Sequence, residues 1–267
     1  MPANRSFTDR WRHASNLADR DAGSDPGDRA LIRCTDVGRT YGSGERAVVA
    51  VYGATCTVVA GDRIAIIGPS GSGKSTLLHL LAGLETPTVG QVSWPALGGH
   101  PSDPCTIGLV LQAPSLIPSL TVAENVELPL LLDDRTGGDA RDRARAALSL
   151  LDLAALRDDL PQELSGGQAQ RVVIARVLAA RPTTILADEP TSKLDRGTAD
   201  HVADVLIQVA DETGAALVVA THDRAIGARL NQIWPMHDGR MHAPAHSLAP
   251  TLSFEAAQVP RQDEGTS

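Results

Sequence analysis

Three stretches of the chain hold the residue types that handle phosphate, a hard cation and a proton. Gly68-Pro69-Ser70-Gly71-Ser72-Gly73-Lys74-Ser75-Thr76 fits the pattern G-x-x-x-x-G-K-[ST]. Glycines there let successive backbone N–H groups converge on phosphate oxygens, and a helix starting at the lysine adds its dipole. Lys74 would reach the β- and γ-phosphates, and the Ser75 hydroxyl would bind Mg²⁺. The second stretch, "LADEPTSKLD" (186–195), runs from apolar residues into Asp188 and Glu189. Adjacent carboxylates repel and resist desolvation, so a cation, a water to be activated, or both must offset that cost. Third, His222 follows the apolar run "ALVVAT" (216–221). The remaining histidines, among them His79, His201, His237 and His242, have no such setting and read as surface or satisfied core residues.

The elements that must position these groups are strands and helices in alternation. "RIAIIG" (63–68) reads as a strand leading into "KSTLLHLLAGL" (74–84), whose leucines cluster at helical spacing. "TTILAD" (183–188) and "ALVVAT" (216–221) are further buried strands, separated by a helix around 197–212. Such βαβ alternation implies a largely parallel sheet, whose strands end on one edge, where ligands bind. At that edge Asp188 would face the cation held by Ser75. Glu189 would sit nearer the terminal phosphate, placed to orient and deprotonate a water. "DARDRARAALSLLDLAALRD" (139–158) differs: the segment 139–160 is helical throughout, a small helical lobe inserted in the α/β core. No internal repeat is evident.

"ELSGGQAQRVVIARVLAARP" (163–182) places Leu164-Ser165-Gly166-Gly167-Gln168 before an apolar helix, and a small-residue loop capping a helix is another anion site. With this pentapeptide the ordered motif set resembles the ATP-binding cassette (ABC) ATPases over about residues 31–242. The resemblance implies an α/β fold: a P-loop NTPase core of ABC type, with an antiparallel β subdomain near 31–60 and an inserted helical subdomain at about 113–165. It makes Tyr41 the aromatic that stacks on adenine and Gln112 the Q-loop residue at the metal and catalytic centre. Asp195 ends the D-loop, and His222 contacts the γ-phosphate. It further implies ATP and Mg²⁺ as cofactors and a homodimer in which each ATP lies between the phosphate loop of one copy and Ser165-Gly166-Gly167 of the other. "GPSGSGKSTLLHLLAGLETPTVG", "LIPSLTVAENVELPL" and "ILADEPTSKLD" resemble more closely the lipoprotein-release and macrolide-export subgroup, which includes cell-division and peptide-antibiotic-resistance types. Members pair with a separate integral membrane permease. Two stretches depart from the pattern: Lys193 stands in the D-loop where a small or amide residue is usual, and "SWPALGGHPSDPCTIG" (93–108) lacks the Arg-rich segment common before the Q-loop.

Bulk composition agrees with this and excludes other classes. The 267 residues, 42% hydrophobic, suffice for one large domain or two small lobes. A formal charge of -8 and a pI near 5.4 argue against binding nucleic acid by bulk electrostatics. Of 24 basic residues only Lys74 and Lys193 are lysines. Cys34, Cys56 and Cys105 stand isolated and fit no zinc spacing, which reads as a cytoplasmic chain with reduced thiols. No signal peptide is visible, and no apolar run reaches the roughly 18 residues of a membrane span. Attachment to the inner face of the membrane would therefore run through the permease. Residues 1–29 and 243–267 read as flexible tails around a domain at 30–242, although Phe7, Trp11, Ala14 and Ala18 fall at helical spacing.

The expectation is an ATP hydrolase that drives a membrane partner. A force-transmitting complex without transport, a soluble ABC ATPase and a non-hydrolysing regulator are the alternatives. Repair members carry long coiled coils between phosphate loop and signature, whereas Lys74 and Ser165 are separated by an ordinary span. Intact Lys74, Asp188, Glu189 and His222 speak against a regulator that only binds ATP.

Overall fold

The computed structural model describes residues 29–97, 106–133 and 139–242. Both expected tails (Arg29 apart), the spacing of Phe7 to Ala18, and Cys105 lie outside them. Two sheets form. The larger has six strands in the order β5 (Ile107–Val110), β6 (Thr184–Asp188), β7 (Ala216–Thr221), β3 (Arg63–Ile67), β8 (Gln232–His237) and β9 (Arg240–Met241). All pairings are parallel except the β8–β9 hairpin. β6 and β7 are buried at every residue, so they read as unbroken apolar runs, as strands covered on both faces do.

The smaller sheet is antiparallel, β2 (Val48–Val59), β1 (Ala30–Tyr41) and β4 (Val89–Ser93) in that order. It meets the larger sheet where the Tyr52 N–H donates to the Gly239 carbonyl, 2.8 Å. The β1–β2 register sets Cys34 opposite Cys56, so these two thiols are not isolated from each other. Both are buried and free, and the contact with Cys56 together with burial pushes the Cys34 thiol up.

Helix α1 (Lys74–Leu81) follows β3 and buries Leu77, Leu78, Leu80 and Leu81. The helical lobe holds α2 (Val122–Leu131) and α3 (Ala140–Leu150), packed on α4 (Gly166–Ala180). Here the structure corrects the single helical stretch expected over 139–160. α3 stops at Leu150, Asp152 turns left-handed (φ 56°), and a 3-10 turn follows at Ala154–Leu156. The turn lets Leu151 and Leu153, which a continuous helix would point to different sides, both become fully buried. Asp tolerates that conformation better than most side chains. α5 (Arg196–Thr213) and the one-turn α6 (Arg224–Gly227) complete the described chain.

Candidate active site

The carboxyl ends of β3, β6 and β7 are neighbours in the sheet, which brings three separate stretches of sequence to one edge. β3 leads into the phosphate-binding loop, whose shape depends on two glycines. A Cβ on Gly68 would lie 2.0 Å from the Met236 carbonyl oxygen, and one on Gly73 would lie 2.1 Å from that of Ala50. Gly73 also has φ 100°, a conformation that residues with a Cβ rarely adopt. The loop is thus folded tightly against β8 and β2. Ser70 and Gly71 lie exposed at its tip, and Thr76 lies in the first turn of α1.

Lys74 is 6% exposed, and its ammonium donates to the carbonyls of Gly68 (2.8 Å) and Pro69 (3.0 Å). It also lies 4.0 Å from Glu189 Oε1. Ser75, the next residue, hydrogen-bonds the Asp188 carboxylate at the end of β6. Asp188 is 3% exposed, and burial pushes its carboxyl up; the Ser75 hydroxyl opposes the rise and the charge of Glu189 adds to it. Its Oδ1 is buried with no hydrogen-bond partner. A desolvated carboxylate oxygen beside a hydroxyl suits a small hard cation that takes its other ligands from phosphate and water. Among the described residues no three His, Cys, Asp or Glu side chains are grouped so that they could hold a metal ion by themselves.

Glu189 has φ 45°, a left-handed conformation that a residue with a long side chain seldom takes. Its N–H still donates to the Ala220 carbonyl, 2.9 Å, which stitches the turn to β7. Its carboxylate receives two contacts from the end of that strand. Oε1 lies 2.9 Å from His222 Nδ1, and Oε2 accepts from the Thr221 hydroxyl at 3.4 Å. A carboxylate accepts only, so the Nδ1 of His222 carries the hydrogen, on a ring 62% exposed. Lys74, Ser75, Asp188, Glu189 and His222 therefore form one cluster, as the sequence led us to expect.

The other expected site residues sit on other elements of the same chain. Tyr41 ends β1 and is 36% exposed. Gln112 is exposed at the start of the loop that leaves β5. Ser165 caps α4: its hydroxyl accepts from the Gln168 N–H (3.2 Å), and Gln168 Oε1 accepts from the Ser165 N–H (2.7 Å). Gly166 is exposed, and Gly167 packs so close to Leu194 that an added Cβ would lie 3.1 Å from its Cδ2. Asp195 caps α5 through the N–H (3.1 Å) and hydroxyl (2.7 Å) of Thr198, which hold its carboxyl below the usual range. The loop at 165–167 thus rests on the segment before α5.

Several positioning residues escaped the sequence reading. Thr221 joins Glu189 to the turn after β7, since its hydroxyl also accepts the Asp223 N–H at 3.0 Å. Gln170 is buried and donates to the Leu111 carbonyl, anchoring the residue next to Gln112. Arg176 holds Ser115 through the carbonyl (2.9 Å) and hydroxyl (3.0 Å). Polar residues buried inside an apolar helix, as Gln170 is in α4, were the available signal.

Residues 51–192 match the family model described as ABC transporter. Among curated relatives, the lipoprotein-releasing system ATP-binding protein LolD of Legionella pneumophila (strain Paris) is 40% identical over 218 residues. That alignment covers 77% of this chain and 94% of LolD. The uncharacterized ABC transporter ATP-binding protein YbbA of Escherichia coli (strain K12) is 40% identical over 223 residues, 80% of this chain and 98% of YbbA. Among solved structures, the ATP-binding cassette MJ0796, a dimer in a post-hydrolysis state bound to ADP and Pi, superposes with a TM-score of 0.74. It is 36% identical and covers 79% of this chain and 96% of its own.

Proposed function

Since the chain belongs to the ABC transporter family of ATP-binding subunits, we propose that it hydrolyses Mg-ATP to drive a separate membrane permease of the lipoprotein-releasing kind. The observation that carries the reading is the cluster of Lys74, Ser75 and Asp188 with the Glu189–His222 pair at one sheet edge. Lys74 would meet the β- and γ-phosphates, exchanging two backbone carbonyls for phosphate oxygens. Ser75 and Asp188, with Gln112 alongside, would hold Mg²⁺, which when bound neutralises charge on the phosphates. Glu189 would orient a water in line with the γ-phosphorus and take its proton; His222, which holds Glu189 at Oε1, would contact the γ-phosphate.

Two copies would face head-to-tail, with Ser165, Gly166, Gly167 and Gln168 of one copy closing over the ATP of the other, and Asp195 at the seam. The N-terminus of the 15-residue α4 is suited to this, because its dipole favours an anion. Support for the dimer comes from the dimeric relative of known structure. Support for the permease comes from relatives named as lipoprotein-releasing and transporter ATP-binding proteins. No helix among the described residues is long and apolar enough to cross a membrane. In the proposed complex the chain would sit at the cytoplasmic face and pass force from there into the permease. The test is co-expression of the tagged chain with its candidate permease. Recovery of both from detergent extract, with ATP hydrolysis stimulated by lipoprotein, supports the reading; an ATPase that stays free of membranes contradicts it.

A further inference from the structure

Arg39 and Tyr41 are two residues apart in β1 and so lie on one face of that strand. The Arg39 guanidinium carbon sits over the Tyr41 ring, 4.8 Å from its centroid, within the range at which a cation is attracted to an aromatic face. Its Nη2 is held 2.6 Å from Oε2 of Glu85, each side chain about a quarter exposed (25% and 28%). Such a bridge adds little stability but fixes where the guanidinium lies. Glu85 is tied in turn to the phosphate-binding helix, since its N–H donates to the His79 carbonyl at 3.3 Å. The following segment clamps β1 from the same side: Thr88 donates to the Gly38 carbonyl (2.8 Å), and its hydroxyl accepts the Thr40 N–H (3.0 Å). Helix α1, Glu85, Arg39 and Tyr41 therefore form one connected series.

Resting on the reading of Tyr41 as the residue that stacks on the base, we propose that Arg39 is a positioning residue for the nucleotide base. It covers the back of the Tyr41 ring, leaving the opposite face for adenine in an Arg39–Tyr41–base sandwich. Tyr41 keeps 36% of its surface exposed although the guanidinium lies on one face. A cation on the back draws electron density from the ring, which lessens repulsion between its front face and the π face of an adenine. It also holds the ring in one orientation before the base arrives, lowering the ordering cost of binding. The link through Glu85 and α1 sets the distance between the platform for the base and the loop for the phosphates.

Fluorescent ATP binding to the full chain tests this as a double-mutant cycle. Arg39→Leu is expected to weaken ATP by about two- to fivefold, the worth of an exposed cation–aromatic contact. Arg39→Lys should recover part of the loss, Glu85→Gln should give a smaller loss, and in turnover the effect should fall on KM. In a Tyr41→Ala background Arg39→Leu should cost nothing further, because the ring it supports is gone. Equal losses with and without Tyr41 would mean that the guanidinium acts on the phosphates or the fold, and would overturn the proposal. So would Arg39→Leu and Glu85→Gln chains that bind ATP like the parent while Tyr41→Ala binds weakly. If Tyr41→Ala itself binds ATP normally, the base-stacking reading fails first and the sandwich with it.

Discussion

Burial pushes the Asp188 carboxyl above its usual range although the Ser75 hydroxyl supports the ionised form. A carboxyl raised on folding favours the fold when protonated. Its contribution is present below the unfolded pKa and lost as pH rises through the folded one. Asp188→Asn, neutral throughout, should therefore unfold at a higher temperature than the parent near neutral pH in Mg²⁺-free buffer. The gain should be a few degrees, at about 2–4 °C per kcal/mol for a chain of this size. The gap should close on acidification, and calorimetry between about pH 4 and pH 8 reads it directly. A variant no more stable than the parent at neutral pH would mean that the carboxylate is better solvated than its surroundings suggest. His222→Ala removes the 2.9 Å contact on Glu189 Oε1 and should lower hydrolysis about tenfold or more at saturating Mg-ATP, with ATP affinity changed far less. Parallel loss of affinity and rate would place His222 in nucleotide binding instead. Lys74, Ser75, Asp188 and Glu189 were legible in the sequence because phosphate and metal chemistry dictate residue types at fixed local spacing. Thr221 and Arg39 were not, because what each does depends on a partner brought near by strand pairing or by the fold of a distant turn.

Elements with a single dominant signal were also legible. β3, β6 and β7 appear as apolar runs and α1, α4 and α5 as leucine-, valine- and alanine-rich helices, each within two or three residues of its reading. β4 (VGQVS) is mostly exposed and β9 has two residues, so neither carries an apolar pattern that would announce it. In the helical lobe, burial decided against periodicity at Asp152. Asn125 shows how one polar side chain can shape an element unseen in a pattern. It is fully buried in α2, accepts the Ile117 N–H (2.8 Å), and donates to the carbonyls of Ile117, Leu120 and Thr121. Asn125→Leu strands these groups and should cost about 1–3 kcal/mol per unsatisfied buried group at the low-solvent positions. Urea unfolding measures the total, and hydrogen exchange at Ile117 should accelerate ahead of the sheet amides. Unchanged protection there would mean that the 116–121 turn holds without Asn125.

At the scale of the molecule, a parallel sheet gathers the carboxyl ends of β3, β6 and β7, and the antiparallel sheet brings Tyr41 to the neighbourhood of the same loop through Ala50 and the 85–88 segment. Ser165 and Asp195 make their bonds within their own helices, and in the proposed dimer they would serve the ATP held by the second copy. Glu189→Gln joins both halves of this account. It keeps the side-chain size, cannot take the proton, and removes a negative charge facing the phosphates, so Mg-ATP should be retained and light scattering should report an ATP-dependent doubling of mass. In the proposed reaction Glu189 activates the attacking water. Single-turnover phosphate release at saturating Mg-ATP, parent against Glu189→Gln, tests it most directly. The account predicts a fall of about 10²-fold or more with ATP still bound. Release at close to the parent rate would contradict it.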